Sequence, residues 1–491
     1  VATKIAFSNT LSAAKQQPHV VLVASQAALA KGIWKKVFPK ALHGLVSKLV
    51  ADLKPGVLGK VASTYTAKSP ARISVVSLPN ALSRHLSSSR AIAIEATARK
   101  LDFGKGKAAI VLCLDDASHY TAAANAFGRA FPLFSRRSSA ATSRSLTVVA
   151  IDIKGRPLKA SPQVRRTLEA TRWAAKLVDM PTAELNAADF VSAARAALKG
   201  VKGVKISAIV GKKLLEKGLG GIHGVGRAAA VAPRLLIMET GPKRAKRTVV
   251  VVGKGVVYDT GGLNIKVGGG MSGMKCDMGG GAAVAGAFLV LAQEKLAGTR
   301  VIALVPLAEN AVGPDSYRPD DVLDMHSGKT VEINNTDAEG RLLLADAVSY
   351  AARVCKADVV IDAATLTGAQ LLATGKRHAA VVTNRGGLSD LAVAAGLQSG
   401  DEVAPLPFAP EIYQAEFSSA VADMRNSVKD RMNAQSSCAG QFVYSHIQEL
   451  NIPWLHIDLA GPAKPGKRAT GYGVALISEI VRGIDDAALE S

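Results

Sequence analysis

The sequence predicts an α/β protein of two domains, a smaller N-terminal one and a larger C-terminal one with a mainly parallel or mixed sheet. Three observations carry this. Apolar, β-rich runs alternate with Ala/Leu-rich helical stretches along the whole chain. The alternation breaks once, around Pro157 and Pro162. The 491 residues leave room for two generous cores. A composition of 48% hydrophobic and 20% charged residues excludes a disordered chain. No uninterrupted apolar stretch reaches the roughly 18 residues of a spanning helix, so no membrane span is expected. The longest candidate, 282–292, reads as a short buried helix.

Taken in order, 20–25 (VVLVAS) reads as a buried strand, followed by strands at 73–78, 109–114 and 146–153. Helical composition falls at 89–99 and 120–131, and the Ser/Arg-rich 135–145 reads as an exposed loop. Helical periodicity over 164–178, ending before Pro181, predicts a connecting helix. The expected division is therefore 1–160, a linker at 161–180, and 181–491. In the last part, strands are expected at 204–210, 234–238, 248–252, 301–306, 358–361 and 380–383, with helices at 282–296 and 342–354. No internal repeat or low-complexity tail interrupts the pattern.

Charge is unevenly placed. The chain carries 61 Lys+Arg against 39 Asp+Glu, a net +22. Residues 1–160 hold 24 basic and 6 acidic side chains, and no acid precedes Asp52; the rest is nearly balanced, 37 against 33. Such a surface suits a polyanion, including nucleic acid, or consists of solvated lysines alone. Aromatics at 4% and the lack of a groove-reading motif argue against a dedicated nucleic-acid reader. Cys113, Cys276, Cys355 and Cys438 form no CxxC pair, which fits a reducing intracellular compartment, cytoplasmic or mitochondrial. No hydrophobic signal core precedes 20–25, and no secretory or transit peptide is visible in the segment given.

Two glycine-rich segments hold the chemistry: 250–281, with Lys254, Asp259, Lys266 and Asp277, and 335–342, with Asp337, Glu339 and Arg341. The first leaves a buried strand at Gly253, where parallel sheets tend to place sites. Asp337 and Glu339 are two apart, which in an extended segment points them to one side. Four converging carboxylates repel unless cations sit between them, and carboxylate-rich sites suit two divalent metals about 3.5–4 Å apart. Taken singly, the same acids also read as turn formers or helix caps. There is no HExxH helix and no GxSxG elbow. Gly328-Lys329-Thr330 lacks the leading glycine of a P-loop, Leu323 standing there, and Gly253-Lys254-Gly255 lacks the third glycine of a dinucleotide fingerprint. His456 and Asp458, on a strand-like run, could bind metal but read first as an ordinary core pair.

Together these segments resemble the leucyl aminopeptidase family of two-metal, cytosolic-type aminopeptidases. The octapeptide NTDAEGRL at 335–342 carries the likeness. VGKG at 252–255, YDTGG at 258–262, Lys266, DMGG at 277–280 and ATLTGA at 364–369 support it across roughly 165–480. The resemblance implies a C-terminal catalytic domain that releases N-terminal residues from short peptides. It implies that Lys254, Asp259, Asp277, Asp337 and Glu339 hold two divalent ions, zinc or manganese, cobalt or magnesium in one site, with Asp259 and Glu339 bridging. Lys254 would then bind as a neutral amine, its pKa lowered by the cations. Lys266 would stabilise the negative charge formed on the attacked carbonyl, and Arg341 would hold a bicarbonate that moves the proton. Met274, Thr365 and Gly368 would line the pocket for the first side chain, favouring Leu or Met, and the assembly implied is a homohexamer. Residues 429–442 depart from the family's small-residue loop and Thr/Ala-rich helix. Two other readings remain: nucleic-acid binding through the basic N-terminal part, and a related two-metal hydrolase acting on an acylamino acid rather than on a free α-amine.

Overall fold

A computed structural model describes residues 3–104, 106–138 and 144–490. The chain separates into two compact units, Val1–Arg172 with Gly396–Glu402, and Trp173–Ala395 with Val403–Ser491. The boundary falls inside one long helix, Pro162–Asp179.

The first unit is built on strands β1 (Lys4–Phe7), β2 (His19–Ser25), β3 (Lys60–Tyr65), β4 (Arg72–Leu78), β5 (Gly106–Leu114), β6 (Arg144–Asp152) and β7 (Pro157–Leu158), in the order β1-β6-β5-β2-β4-β3 with β7 on β6. The inner pairings are parallel, and β3 and β7 run antiparallel at the edges. Every residue of β2 is buried, as expected for a strand covered on both faces. Its alternate side chains feed two cores: Val20, Leu22 and Ala24 pack with Trp34 and Phe38, whereas Val21 and Val23 pack with Ile110 and Phe127. The strands expected at 20–25, 73–78, 109–114 and 146–153 are present, and the helical stretches condense to Ala91–Ala98 and Tyr120–Gly128. The loop expected at 135–145 falls partly on 139–143, outside the described residues; 135–138 form neither helix nor strand, and β6 already begins at Arg144. The edge strand β3 escaped the sequence pattern because its residues, KVASTY, are polar and only partly covered.

The second unit carries a nine-stranded mixed sheet and a small three-stranded one. Its strands are β8 (Lys205–Val210), β9 (Arg234–Thr240), β10 (Arg247–Gly253), β11 (Gly255–Asp259), β12 (Thr299–Asn310), β13 (Val322–Asp324), β14 (Thr330–Glu332), β15 (Val359–Ala364), β16 (Ala379–Thr383), β17 (Val403–Pro405), β18 (Met424–Arg425) and β19 (Trp454–Asp458). The large sheet runs β17-β16-β19-β15-β10-β12-β9-β8, with β11 on β12; β13-β14-β18 form the small one. Parallel pairing holds the centre, β19-β15-β10-β12. Val250, Val252, Ile302, Leu304 and Val360 share one core with the helix Gly340–Arg353.

The helix Gly279–Ala292 is buried at every residue and lies along β10, β12 and β15. By length and composition Met274–Ala292 is able to cross a membrane, an exception to the expectation from uninterrupted apolar runs, but 83% of its apolar window is inside the fold, as in a core helix. Its glycines serve close packing: a Cβ on Gly280 would stand 2.1 Å from the Ala363 carbonyl oxygen.

Two histidines of this unit bear on acid stability. Burial, then the charges of Lys329 and Arg353, lower His446 from 6.5 to about 3; burial, then Arg353, lowers His326 from 6.5 to about 4. From pH 6.5 downward the unfolded chain takes up protons that the folded chain refuses, so stability falls as pH falls. We expect urea unfolding to show a loss approaching about 1.4 kcal/mol per pH unit for each histidine between pH 6.5 and 4. A shallower slope is expected in His446→Gln, and an unchanged slope would refute the assignment.

Candidate active site

The site grows from the C-terminal ends of the central parallel strands, where such sheets present their ligand crevices. β10 stops at Gly253, and Lys254 follows with its N–H donating to the Ala363 oxygen at 3.0 Å and its carbonyl accepting from the Gly281 N–H at 2.7 Å. β11 ends on Asp259. Asp277 lies between a single 3₁₀ turn, Met274–Cys276, and the buried helix Gly279–Ala292. Glu339 caps the helix Gly340–Arg353. The extended geometry expected for Asp337 and Glu339 is not found. The Ala338 N–H donates to Asn335 oxygen at 3.2 Å, and Glu339 is already helical at φ −74°, ψ −37°. The two carboxylates converge through a turn and a helix start rather than through strand alternation.

All ten residues singled out in the sequence line one cavity of about 540 Å³. Lys254 Nζ stands 2.8 Å from Asp277 and 2.9 Å from Glu339, and donates to the Thr365 carbonyl at 3.0 Å. Lys266 Nζ stands 2.8 Å from Asp259 and 2.5 Å from Asp337. Oxygens of Asp259, Asp337 and Glu339 lie within 4.8 Å of one another, a grouping that can hold a metal ion. Asp277 meets the cluster through Lys254 and accepts the Thr365 hydroxyl at 2.9 Å. Thr365 therefore holds two members of the cluster besides lining the cavity. Gly368 opens the helix Gly368–Ala373 onto free space, with nothing within 4 Å of where a Cβ would stand. Gly340 is the opposite case, since a Cβ there would lie 2.4 Å from Lys254 Cε.

Burial raises the Asp277 carboxyl well above its ordinary value, although Lys254 opposes the rise. Burial and the neighbouring Asp259 raise Glu339, and burial raises Asp337. For Lys254, burial works against the charge, but Asp277, Glu339 and Asp259 outweigh it and hold the ammonium above its ordinary range. Lys266 is raised in the same way, burial being outweighed by Asp259 and Asp337. Burial lowers Arg341 to about 10, which leaves it charged at neutral pH. Its guanidinium lies over the Phe442 ring at 5.9 Å, and its Nε and Nη1 make no hydrogen bond.

Several supporting residues were missed in the sequence. Asn426, fully buried, accepts the Asn334 and Asn335 N–H groups at 3.0 and 3.2 Å and donates to the Asn335 and Ala338 oxygens at 2.7 and 3.2 Å. Asn310 donates to Asp259 at 2.8 Å and to the Thr336 oxygen at 3.1 Å, and Tyr317 donates to the same oxygen at 2.6 Å. A lone asparagine has no spacing signal, so only the fold reveals these ties. The unusual segment 429–442 forms the helix Gln435–Tyr444, which supplies Phe442 beneath Arg341, while Arg431 and Gln435 line the cavity. His456 and Asp458 are both buried but are not partners. His456 pairs with Asp362 at 2.5 Å, and Asp458 accepts the Leu366 and Thr367 N–H groups. On one strand the two are a residue apart and engage different neighbours.

With this geometry in hand, the family assignment is direct. Residues 172–478 match the cytosol aminopeptidase family, catalytic domain, and the chain belongs to that family. A probable aminopeptidase of Mus musculus, NPEPL1, is 46% identical over 413 residues, covering 82% of this chain and 78% of its own. The leucyl aminopeptidase of Leishmania major, solved in complex with actinonin, superposes with a TM-score of 0.90 at 32% identity, covering 98% of this chain and 95% of its own. The bottromycin maturation enzyme BotP, solved in complex with Mn, gives 0.77 at 28% identity, covering 95% and 99%.

Asn426→Ala should leave two N–H and two C=O groups of the loop without their partner. We expect a loss of about 2–4 kcal/mol in urea unfolding at neutral pH. A loss within experimental error of zero would show that the loop 334–338 holds itself.

Proposed function

We propose that this protein is a metal-dependent aminopeptidase that releases N-terminal residues, Leu- or Met-like by preference, from short peptides. The observation that carries the reading is the meeting of Asp259, Asp337 and Glu339 oxygens within 4.8 Å, beside Asp277 and two lysines, in a single cavity. The donor set fits divalent ions. Four carboxylates are in direct contact with two ammonium groups, and burial penalises the unbalanced negative charge that remains. Lys254, Asp259, Asp277, Asp337 and Glu339 would hold two such ions, zinc or manganese, cobalt or magnesium in one site. When bound, they would polarise a peptide carbonyl and lower the pKa of a water.

The remaining work falls to the chain's own groups. Lys266 keeps its proton and is placed to stabilise negative charge developing on the substrate oxygen. Arg341, charged and with Nε and Nη1 free, is suited to hold an anion such as bicarbonate beside the reacting centre. Met274, Thr365 and Gly368 wall the space for the first side chain. We assign this chemistry to 181–491, leaving 161–180 as linker and 1–160 as a separate basic part. A homohexamer and an intracellular setting, cytoplasmic or mitochondrial, complete the reading. All four cysteines are free, as a reducing compartment would keep them.

The test is hydrolysis of leucine amide by the purified protein with Mn²⁺ or Zn²⁺. Activity should require metal, fall by at least about 100-fold in Asp337→Ala, and be absent on N-acetyl-leucine amide. Cleavage of the acetylated compound would instead favour the acylamino-acid hydrolase. A second reading rests on the 24 basic against 6 acidic residues in 1–160. Binding of that part to duplex DNA, steeply weakened by salt, would support it, and no binding at low salt would remove it.

A further inference from the structure

The cavity contains a cation that neither the metal cluster nor Arg341 accounts for. Lys464 follows the short helix Ala460–Ala463 and lines the same cavity. Its position is fixed from two sides. A Cβ on Gly273, the residue before Met274, would lie 2.8 Å from Lys464 Nζ. Its neighbour Ala463 packs beside Gly279 with Thr365: a Cβ on Gly279 would meet Thr365 Cγ2 at 3.0 Å and Ala463 Cβ at 3.3 Å. Lys464 thus lines the cavity with its ammonium beside Gly273, the residue before Met274, and its chain neighbour Ala463 on the Gly279 side where Thr365 also packs.

Its charge reaches the Asp179 carboxylate only at a distance, alongside Arg468 and Lys275. Among the described residues Lys464 makes no hydrogen bond and no ion pair. The anions around it are engaged elsewhere. Asp179 is held by Arg468 at 3.0 Å and by the Ala469 N–H at 3.1 Å, and Asp277 by Lys254 and Thr365. The neighbouring Cys276 thiol is raised by burial and is neutral. Lys275, the other cation nearby, donates to the Asp179 backbone oxygen.

We propose that Lys464 is a specificity-determining residue that lets the pocket accept an N-terminal glutamate and exclude an N-terminal lysine or arginine. The inference rests on the aminopeptidase reading of this cavity. A glutamate side chain is about as long as a methionine, so its methylenes meet the same walls and its carboxylate reaches the free ammonium as a charge-assisted partner. A cationic side chain would bring two like charges together at a point where the cavity's carboxylates are already paired with Lys254 and Lys266, which selects against it.

The experiment measures kcat/KM for glutamate α-amide, leucine amide and lysine amide with Mn²⁺. In the native protein glutamate α-amide should exceed lysine amide by about tenfold or more. Lys464→Met should lower the glutamate-to-leucine ratio by about tenfold, and Lys464→Glu should raise the lysine-to-leucine ratio by a similar factor. Because the side chain is only partly buried, both variants are expected to fold, and circular dichroism checks this. Cleavage of leucine amide with both ratios unmoved in the two variants overturns the proposal while leaving the aminopeptidase intact. No cleavage of any of the three by the native protein overturns the aminopeptidase reading, and the proposal with it.

Discussion

The constraint on which the second unit depends is the burial of three carboxylates, Asp259, Asp277 and Glu339, beside the half-buried Asp337. Charge removed from water costs several kcal/mol per ion after relaxation, unless opposite charge is brought within contact distance. Here that charge arrives as Lys254 and Lys266, each bridging two acids at 2.5–2.9 Å. Much of the local architecture is arranged to permit those contacts. Gly340 has no side chain because Lys254 passes within 2.4 Å of where its Cβ would be. Gly280 lets the helix Gly279–Ala292 approach β15 closely enough for Asp277 to sit beside Thr365. Asn310 and Asn426 fix the two loops that bring Asp259 and Asp337 together.

This division of labour explains which parts of the molecule were legible in the sequence. The central strands could be read because they are buried on both faces and therefore leave apolar runs, unbroken in β2 and β10 and interrupted only by Asp362 in β15. The edge strands β3 and β8 are half-covered and pair antiparallel, and only β8 retained enough Ile and Val to register. The five expected metal-binding residues were visible because they sit in short, glycine-dense stretches whose order along the chain is itself distinctive. Their geometry was less accessible. Asp337 and Glu339 are two apart in any conformation, and only the turn at Asn335–Ala338 decides how they converge. Asn426 stands 91 residues from the Asn335 backbone it holds, so no local pattern could announce it. His456 illustrates the same limit: its partner is Asp362 across the β15–β19 ladder, not the acid two residues along.

The basic excess of residues 1–160 follows a different physics. Of its 24 cations, 15 are lysines and nine are arginines. Its acids are largely committed to arginines: Asp102 to Arg72, Asp115 to Arg90, Glu95 to Arg99 and Asp152 to Arg156. Even the buried Arg129 is neutralised, by Asp401 at 2.5 Å. The net charge is therefore carried mainly by lysine ammonium groups, which act as hydrated point charges rather than as the planar forks that read a phosphate or a base edge. Such a surface produces a long-range, salt-sensitive field with little sequence discrimination.

The sign of the field inside the metal cavity turns on what occupies it. With only the chain's own groups, four carboxylates and two ammoniums leave a net charge of about −2, and Lys254 holds its proton because its neighbours are anionic. Two divalent ions would supply four positive charges to the same four carboxylates. The surroundings of Lys254 would then no longer favour an ammonium, and the burial that already opposes its charge would act unhindered. Lys266 is less buried than Lys254 and reaches solvent through the cavity, so its charge carries the smaller desolvation penalty. On the proposed reading the two lysines would begin alike and diverge on metal binding, one to release its proton and act as a ligand, the other to remain a cation facing the substrate. What distinguishes them in the structure is their depth in the fold and not their residue type.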